Sequence, residues 1–200
     1  MWTTLADDET VEKTIQSLKA NGITAMIVDS GEQAKAEVLK RIPRGAQVFT
    51  MSSETLRVTG IADAINTDQY ISVRKRLISM NHETQGNEMR ILGAAPEWAI
   101  GSVHAVTEDG LLMIASKTGS QLAAYVSGAA HVIFVIGTQK IVGNRDEGFK
   151  RMYEHSLKME NVRALKVYGM ESEIDKILLI AKEFKPGRTT VIFVKEVLGF

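Results

Sequence analysis

The stretch VEKTIQSLKANGITAMIVDSGEQAKAEVLKRIPRGAQVFT, residues 11–50, decides the fold class. Apolar residues recur at helical spacing over residues 11–18, and the apolar run ITAMIV that follows Asn-Gly predicts a buried strand. The same order is then repeated, with a helix ended by Pro43 and a second strand, AQVFT. Helices alternating with strands are typical of a parallel sheet covered by helices, so the sequence predicts an α/β fold.

Similar signals continue along the chain. WAIGSVHAV (residues 98–106) predicts a strand, and LLMIA is its antiparallel return or the next strand. The Asp-Gly turn between the two apolar runs favours a hairpin. HVIFVIG (residues 131–137) has the continuous apolar character of a buried parallel strand. IDKILLIAK and TTVIFVK flank a Pro-Gly turn, which predicts a C-terminal β-hairpin at about residues 174–200. With no repeat or long linker, we expect a single domain over residues 1–200.

The composition restricts the class of protein. Twenty-four Lys and Arg balance 24 Asp and Glu, so the bulk charge favours neither a nucleic-acid partner nor an anionic membrane. The chain has no Cys, which excludes disulfides, Cys-ligated zinc and a resident iron–sulfur cluster. No His pair has the spacing of metal ligands, so we expect no metal and no other cofactor. The polar start and short apolar runs predict a cytoplasmic protein without a signal peptide or membrane span.

Three polar loops are candidates for a ligand site. SKTGSQ contains a glycine that permits close approach to a ligand, GTQK follows a buried strand, and TEDG forms the hairpin turn. Ligands of α/β sheets lie at the carboxyl ends of the strands, where free amide groups favour anions. The glycine loop SKTGSQ lacks the spacing of a Walker loop, and its alternative interpretation is a capped turn between a strand and a helix. The alternative for GTQK is a surface lysine after a strand. The predicted ligand-binding residues are Thr107, Asp109, Gly110, Lys117, Thr118, Gly119, Ser120, Gln121, Thr138 and Lys140.

Glu108 and His104 are the candidate catalytic residues. A carboxylate such as Glu108 acts as a general base or nucleophile when burial raises its pKa. The alternative interpretation of Glu108 is that the residue belongs to a turn whose sequence serves the turn geometry. The alternative for His104 is that its side chain serves packing or makes a satisfied hydrogen bond. The basic run at residues 74–76 is most simply a solvated face, and contact with an anionic ligand is the lesser alternative.

Residues 101–142, GSVHAVTEDGLLMIASKTGSQLAAYVSGAAHVIFVIGTQKIV, resemble the LUD domain of lactate-utilization proteins. The matching motifs are the T-E-D-G turn, TGSQ before a helix, TQKIV after a strand, and the ending VKEVLGF. The resemblance implies a three-layer α/β/α domain with a mixed or parallel sheet. That fold is similar to the group of ribose-5-phosphate isomerase, glucosamine-6-phosphate deaminase and CoA-transferases. In this wider group the turn and the glycine loop border a site for sugar phosphates or CoA-linked acids.

The resemblance also bears on residue roles and partners. His104 departs from the Asn common in LUD relatives and from the catalytic Asp of related isomerases, while Glu108 is the nearest match to the CoA-transferase Glu nucleophile. Lactate-utilization systems pair LUD subunits with iron–sulfur proteins, so such a protein is a candidate partner that would hold any redox centre. Residues 189–200 are a candidate homo-oligomer interface.

Three functions follow as expectations. The first is binding of a small anionic metabolite, a carboxylate or phosphate, in lactate-type organic-acid utilization. The second is isomerase or acyl/CoA-transferase activity at the same pocket. The third is a non-catalytic subunit or regulator that uses the fold for assembly.

Overall fold

The computed structural model describes residues 2–200. The strands are β1 (Thr24–Val28), β2 (Gln47–Thr50), β3 (Ile71–Ser72), β4 (Trp98–Gly101), β5 (Ala105–Thr107), β6 (Leu112–Ser116), β7 (His131–Gly137), β8 (Ile141–Val142), β9 (Lys176–Ile180) and β10 (Thr189–Val194). The helices are α1 (Asp8–Ala20), α2 (Gly31–Arg41), α3 (Glu54–Val58), α4 (Ile61–Ile65), α5 (Val73–Ser79), α6 (Gly86–Ala94), α7 (Arg145–Arg151) and α8 (Leu157–Tyr168). There are also π-helical turns at Ala124–Gly128 and Met152–Ser156 and a 3₁₀ turn at Thr138–Lys140.

Within residues 2–200 the strands form two sheets. The larger sheet has six strands in the order β1-β10-β7-β4-β2-β3, and every neighbouring pair is parallel. The smaller sheet has four strands in the order β8-β5-β6-β9, with one parallel and two antiparallel pairs. Helices flank the mainly parallel central sheet, so the prediction of a three-layer α/β/α fold is confirmed.

Alternation along the central strands sends apolar side chains into two cores. On β7, Val132 and Phe134 belong to the core that includes α1, α5 and the inner face of the smaller sheet. Ile133 and Val135 belong to the core that includes α2, α3 and α4. Since both faces of the central strands are covered, β7 and β10 are apolar along most of their length, as expected for buried parallel strands.

The outer face of the smaller sheet packs against the helix that follows β8. Ala105, Met113 and Ala115 share a third core with Met152, and Phe149 of α7 packs against it. Serine caps fix the helices next to the main sheet: the side chains of Ser53 and Ser72 accept hydrogen bonds from backbone N–H groups in the first turns of α3 and α5. These two helices carry side chains that line the cavity described below.

Two sequence predictions need correction. The predicted C-terminal hairpin over residues 174–200 is wrong, because β9 pairs with β6 in the smaller sheet and β10 lies between β1 and β7 in the larger one. The predicted strand at residues 98–106 is two strands, β4 and β5, which belong to different sheets. The hairpin of β5 and β6 is confirmed, with Ala105 opposite Met113. Among residues 2–200, no helix combines the length and apolarity needed to cross a bilayer.

Candidate functional site

A cavity of about 810 Å³ lies beyond the carboxyl ends of β2 and β4 and reaches the smaller sheet. This is the edge at which open parallel sheets bind ligands. Side chains from both sheets, from α3 and α5, and from α8 surround it. The apolar part of its wall includes Phe49, Met51, Val103, Ile114, Tyr125 and Phe200.

Lys140 is a buried cation in the wall of this cavity. It follows β7 in the 3₁₀ turn, and its relative exposure is 1%. Its Nζ lies 3.2 Å from Thr55 Oγ1, 3.1 Å from Ser102 Oγ and 3.2 Å from the carbonyl oxygen of Val103. Burial, with a smaller contribution from the charge of Arg151, lowers the pKa of Lys140 well below its ordinary value.

Arg74 is a second cation on the cavity wall. It projects from α5, is half-buried, and donates from Nε to the carbonyl oxygen of Thr50 at 2.7 Å and from Nη2 to Ser52 Oγ at 3.0 Å. Burial lowers the pKa of Arg74. The two hydrogen bonds involve Nε and Nη2, and among residues 2–200 Nη1 takes part in neither of them.

His104 lies where the chain crosses from β4 to β5. The backbone N–H of Ala115 donates to His104 Nδ1 at 3.1 Å, so the ring proton of the neutral imidazole is on Nε2. Burial, then the charges of Lys140 and Arg151, lowers the pKa of His104 to about 3. His104 is therefore a neutral hydrogen-bond donor over the physiological pH range.

Arg151 lies behind His104, in the last turn of α7. Its side chain is fully buried, and Nη1 donates to the carbonyl oxygen of His104 and to Ser156 Oγ. Within residues 2–200, its Nε and Nη2 have no hydrogen-bond partner. Burial lowers the pKa of Arg151 to about 10. The guanidinium group therefore remains charged, and it adds positive potential to this part of the site.

These three cations differ from those at the cavity rim. Among residues 2–200, none of Arg74, Lys140 and Arg151 has a carboxylate within salt-bridge distance. The rim carries ion pairs instead: Arg57 with Glu54, Arg163 with Glu160, and Lys117 with Glu173. Buried charges are normally paired, so an uncompensated positive cluster beside a cavity suits a negatively charged ligand.

The glycine loop at residues 117–121 lies at another side of the cavity. Ser116 Oγ accepts a hydrogen bond from Gly119 N–H at 2.8 Å and donates to Gln121 Oε1 at 3.1 Å, which closes the loop on itself. Gly119 has a φ of +79°, and an added Cβ would lie 2.7 Å from the side chain of Lys176. The loop therefore requires glycine for its own turn and its packing.

The structure brings only some of the predicted site residues together. The residues that line the cavity are His104, Lys117, Thr118, Ser120, Gln121 and Lys140. Six others lie outside its lining: Thr107, Glu108, Asp109, Gly110, Gly119 and Thr138. The TEDG turn lies instead against α1, where Glu108 Oε2 is 2.7 Å from Lys13 Nζ. The hydroxyl of Thr107 donates to the carboxylate of Asp109, so these polar groups satisfy one another within the turn.

Several residues of the site have no clear signal in the sequence. Thr55, Ser102 and Tyr125 are separated by tens of residues and meet only in the folded chain. Tyr125 is buried, which raises its pKa and keeps the phenol protonated. Arg151 belongs to a helix with an ordinary charged sequence. Arg74 was recognisable only as part of a basic run.

Comparisons with solved structures and with protein families agree with this architecture. Comparison with curated proteins gave no significant match. Among solved structures, the crystal structure of a DUF162 family protein from Deinococcus radiodurans, at 1.70 Å resolution, is similar with a TM-score of 0.59 and 12% sequence identity. That similarity covers 96% of this chain and 99% of the other. The LUD domain family matches residues 11–194, nearly the whole chain, and this protein therefore belongs to the LUD domain family.

Proposed function

We propose that this LUD domain binds a small organic anion, a carboxylate or a phosphate, in the cavity lined by Arg74 and Lys140. The observation that carries the proposal is the absence, among residues 2–200, of carboxylate partners for Arg74, Lys140 and Arg151. An anion in the cavity would supply the missing negative charge, and desolvation would strengthen its attraction to the two wall cations.

The neutral groups nearby suit the same ligand. Nε2–H of His104 and the hydroxyls of Ser102 and Tyr125 are hydrogen-bond donors on or near the wall. Donors of this kind orient a carboxylate or a hydroxyl group without adding charge. Membership of the LUD family connects such a ligand with lactate-type organic-acid utilization, which we propose as the metabolic setting.

Of the alternative chemistries, acyl or CoA transfer through Glu108 receives no support from the geometry. Glu108 is held by Lys13 and is not among the lining residues. The acids that line the cavity, Glu54, Glu160 and Glu173, all take part in ion pairs at the rim. Isomerase chemistry would have to use His104 as a hydrogen-bond donor, because Nδ1 is already occupied by a backbone N–H.

A thermal-shift screen tests the proposal. We expect at least one member of a panel of lactate, 2-oxo acids, dicarboxylates and sugar phosphates to raise the melting temperature of the wild type. At a ligand concentration 100 times Kd, the expected rise is about 5–10 °C for a domain of this size. Lys140→Met should weaken binding by about 10- to 100-fold, because methionine cannot carry the positive charge that a bound anion would stabilise on Nζ.

The matched control is Lys40→Met, which removes an exposed lysine from α2. Its Nζ lies 3.7 Å from Glu37, away from the cavity lining, so the ligand-induced shift should remain at the wild-type value. Circular dichroism should confirm that each variant is folded. If no anion shifts the wild type, or if Lys140→Met retains the full shift, the proposal is wrong, and a non-catalytic role in assembly becomes the better account.

A further inference from the structure

The surroundings of Lys140 differ from those of a structural salt-bridge lysine. Each polar partner of Nζ is electrically neutral: two hydroxyls, of Thr55 and Ser102, and the carbonyl oxygen of Val103. A lysine buried to 1% exposure without a carboxylate has lost its water and gained no opposite charge. Such a site destabilises the ammonium form relative to the free amine.

The hydrogen-bond geometry also accommodates the free amine. Only the Val103 carbonyl oxygen must accept a proton from Nζ. Thr55 Oγ1 donates to the carbonyl oxygen of Leu198 at 3.1 Å and so can accept from Nζ. The Ser102 hydroxyl has no other partner closer than 3.4 Å and can turn to donate to the nitrogen lone pair or turn away from it. Two accepting partners and one rotatable hydroxyl match an amine with two protons and one lone pair.

We propose that Lys140 is a nucleophile that forms an imine with a small anion carrying an aldehyde or ketone group. This inference rests on the proposed function, since the same cavity would hold the ligand, with its anionic end at Arg74 and its carbonyl group at Lys140. The lowered pKa of Lys140, caused chiefly by burial, agrees with this role because only the neutral amine attacks a carbonyl.

The reaction is a balanced condensation. The lone pair of Nζ forms a C–N bond to the carbonyl carbon, and the π electrons of the C=O bond move to oxygen. One nitrogen proton then moves to that oxygen to give a carbinolamine. The nitrogen lone pair then forms the C=N π bond as the C–O bond breaks, and the departing hydroxide takes the remaining nitrogen proton and leaves as water. One amine and one carbonyl compound thus give one imine and one water, and no oxidant or reductant is needed.

Other wall residues suit a ligand that has both groups. Arg74 offers a fixed guanidinium for a carboxylate or phosphate, and its Nη1 is not used by Thr50 or Ser52. Nε2–H of His104 can donate to the carbonyl oxygen as negative charge develops there, without transferring its proton. The ligand class is therefore a carbonyl-bearing anion, either a 2-oxo acid or an aldose or ketose phosphate.

Reductive trapping tests the inference on the full chain. The protein is incubated at about pH 7 with sodium cyanoborohydride and, in separate arms, glyoxylate, pyruvate or ribose 5-phosphate, and modified lysines are located by peptide mass spectrometry. We expect Lys140 to be modified at least about ten times faster than Lys40, because only the free amine attacks a carbonyl and burial favours the free amine of Lys140. Lys140→Arg and Lys140→Met should lose this fast modification, while Lys40→Met keeps it.

The arms separate the outcomes. Preferential modification by glyoxylate or pyruvate identifies a 2-oxo acid, and preferential modification by ribose 5-phosphate identifies a sugar phosphate. If wild-type Lys140 is not modified faster than Lys40 while these anions still raise the melting temperature, the imine is excluded and the anion-binding function stands. If the anions neither modify Lys140 nor raise the melting temperature, both proposals fail. The peptide map of the wild type decides the matter even if a Lys140 variant does not fold.

Discussion

At the scale of single residues, the cavity lies beside several charged side chains, and only some of them could be placed there from the sequence. Lys140 could be predicted, because it directly follows a buried strand and such ends lie at the ligand-binding edge. Arg151 could not, because its helix gives no sign that its guanidinium is fully buried beside His104. Burial of a charged side chain depends on which elements cover it, and that information is in the tertiary structure.

His104 gives a prediction about pH. Its pKa is about 3 in the folded protein and ordinarily 6.5, so between these values the unfolded chain binds more protons. Stability should therefore fall as the pH drops from about 6.5 towards about 3. In the wild type, this effect of His104 should lower the free energy of unfolding at about pH 4.5 by on the order of 1–2 kcal/mol relative to about pH 7.5. The His104→Asn variant should lack this contribution, and urea unfolding at the two pH values measures the difference. His155, whose pKa is also lowered, is present in both proteins, so the difference isolates His104. Equal pH dependence in the two proteins would contradict the assignment.

At the scale of elements, the apolar pattern of a strand indicates its position in the sheets better than the turn next to it does. The Pro-Gly turn before β10 suggested a hairpin, yet β10 is buried along all six residues, while β9 has only exposed and half-buried residues. The continuous apolar run in β10 matches that in β7 and was the available signal for a central parallel strand.

The TEDG turn and the glycine loop were both predicted to contribute to one ligand site, but their positions on β6 keep them apart. The TEDG turn precedes β6 and the glycine loop follows it, so the five residues of the strand separate them by roughly 15 Å. Two loops at opposite ends of one strand lie at opposite edges of its sheet. The loops after β6 and β7 both reach the cavity, although the two strands belong to different sheets.

The π-helical turn at Ala124–Gly128 provides an element-scale prediction. An alanine Cβ at position 128 would lie 1.8 Å from the backbone oxygen of Ala94 at the end of α6, where backbone has to move. We expect Gly128→Ala to destabilise the protein by at least about 1–3 kcal/mol, measured by urea unfolding. Gly86→Ala is the matched control: its added Cβ would have only ordinary contact, 3.7 Å from Arg90, and should be neutral or slightly stabilising. Similar stabilities for the two variants would contradict the described packing of the turn on α6.

At the scale of the whole molecule, stability is unevenly distributed around the cavity. β7 and β10 lie inside the main sheet and are largely buried, whereas Ala164 is the one buried residue that the described structure places in α8. α8 nevertheless supplies rim residues such as Arg163 and Lys166. The cavity is thus bordered by a well-packed sheet edge and by a weakly packed helix.

This distribution predicts the order of hydrogen exchange. Amides of α8 should exchange much faster than those of β7 and β10, because few buried contacts oppose local opening of the helix. A carboxylate or phosphate that raises the melting temperature should slow exchange in α8 by closing the cavity rim. Exchange followed by mass spectrometry with and without that anion measures both effects. Comparable protection in α8 and β7 without ligand would be inconsistent with the burial described above.

The position of β10 has a consequence for synthesis of the protein. Within the described chain, β1 is paired only with β10, and β10 also pairs with one edge of β7. Residues 189–194 leave the ribosome after the other nine strands, so a nascent chain carries two incomplete strand edges until that moment. Completion of the main sheet must therefore await synthesis of residues 189–194, and until then β1 and β7 are open to chaperones that bind exposed strand edges.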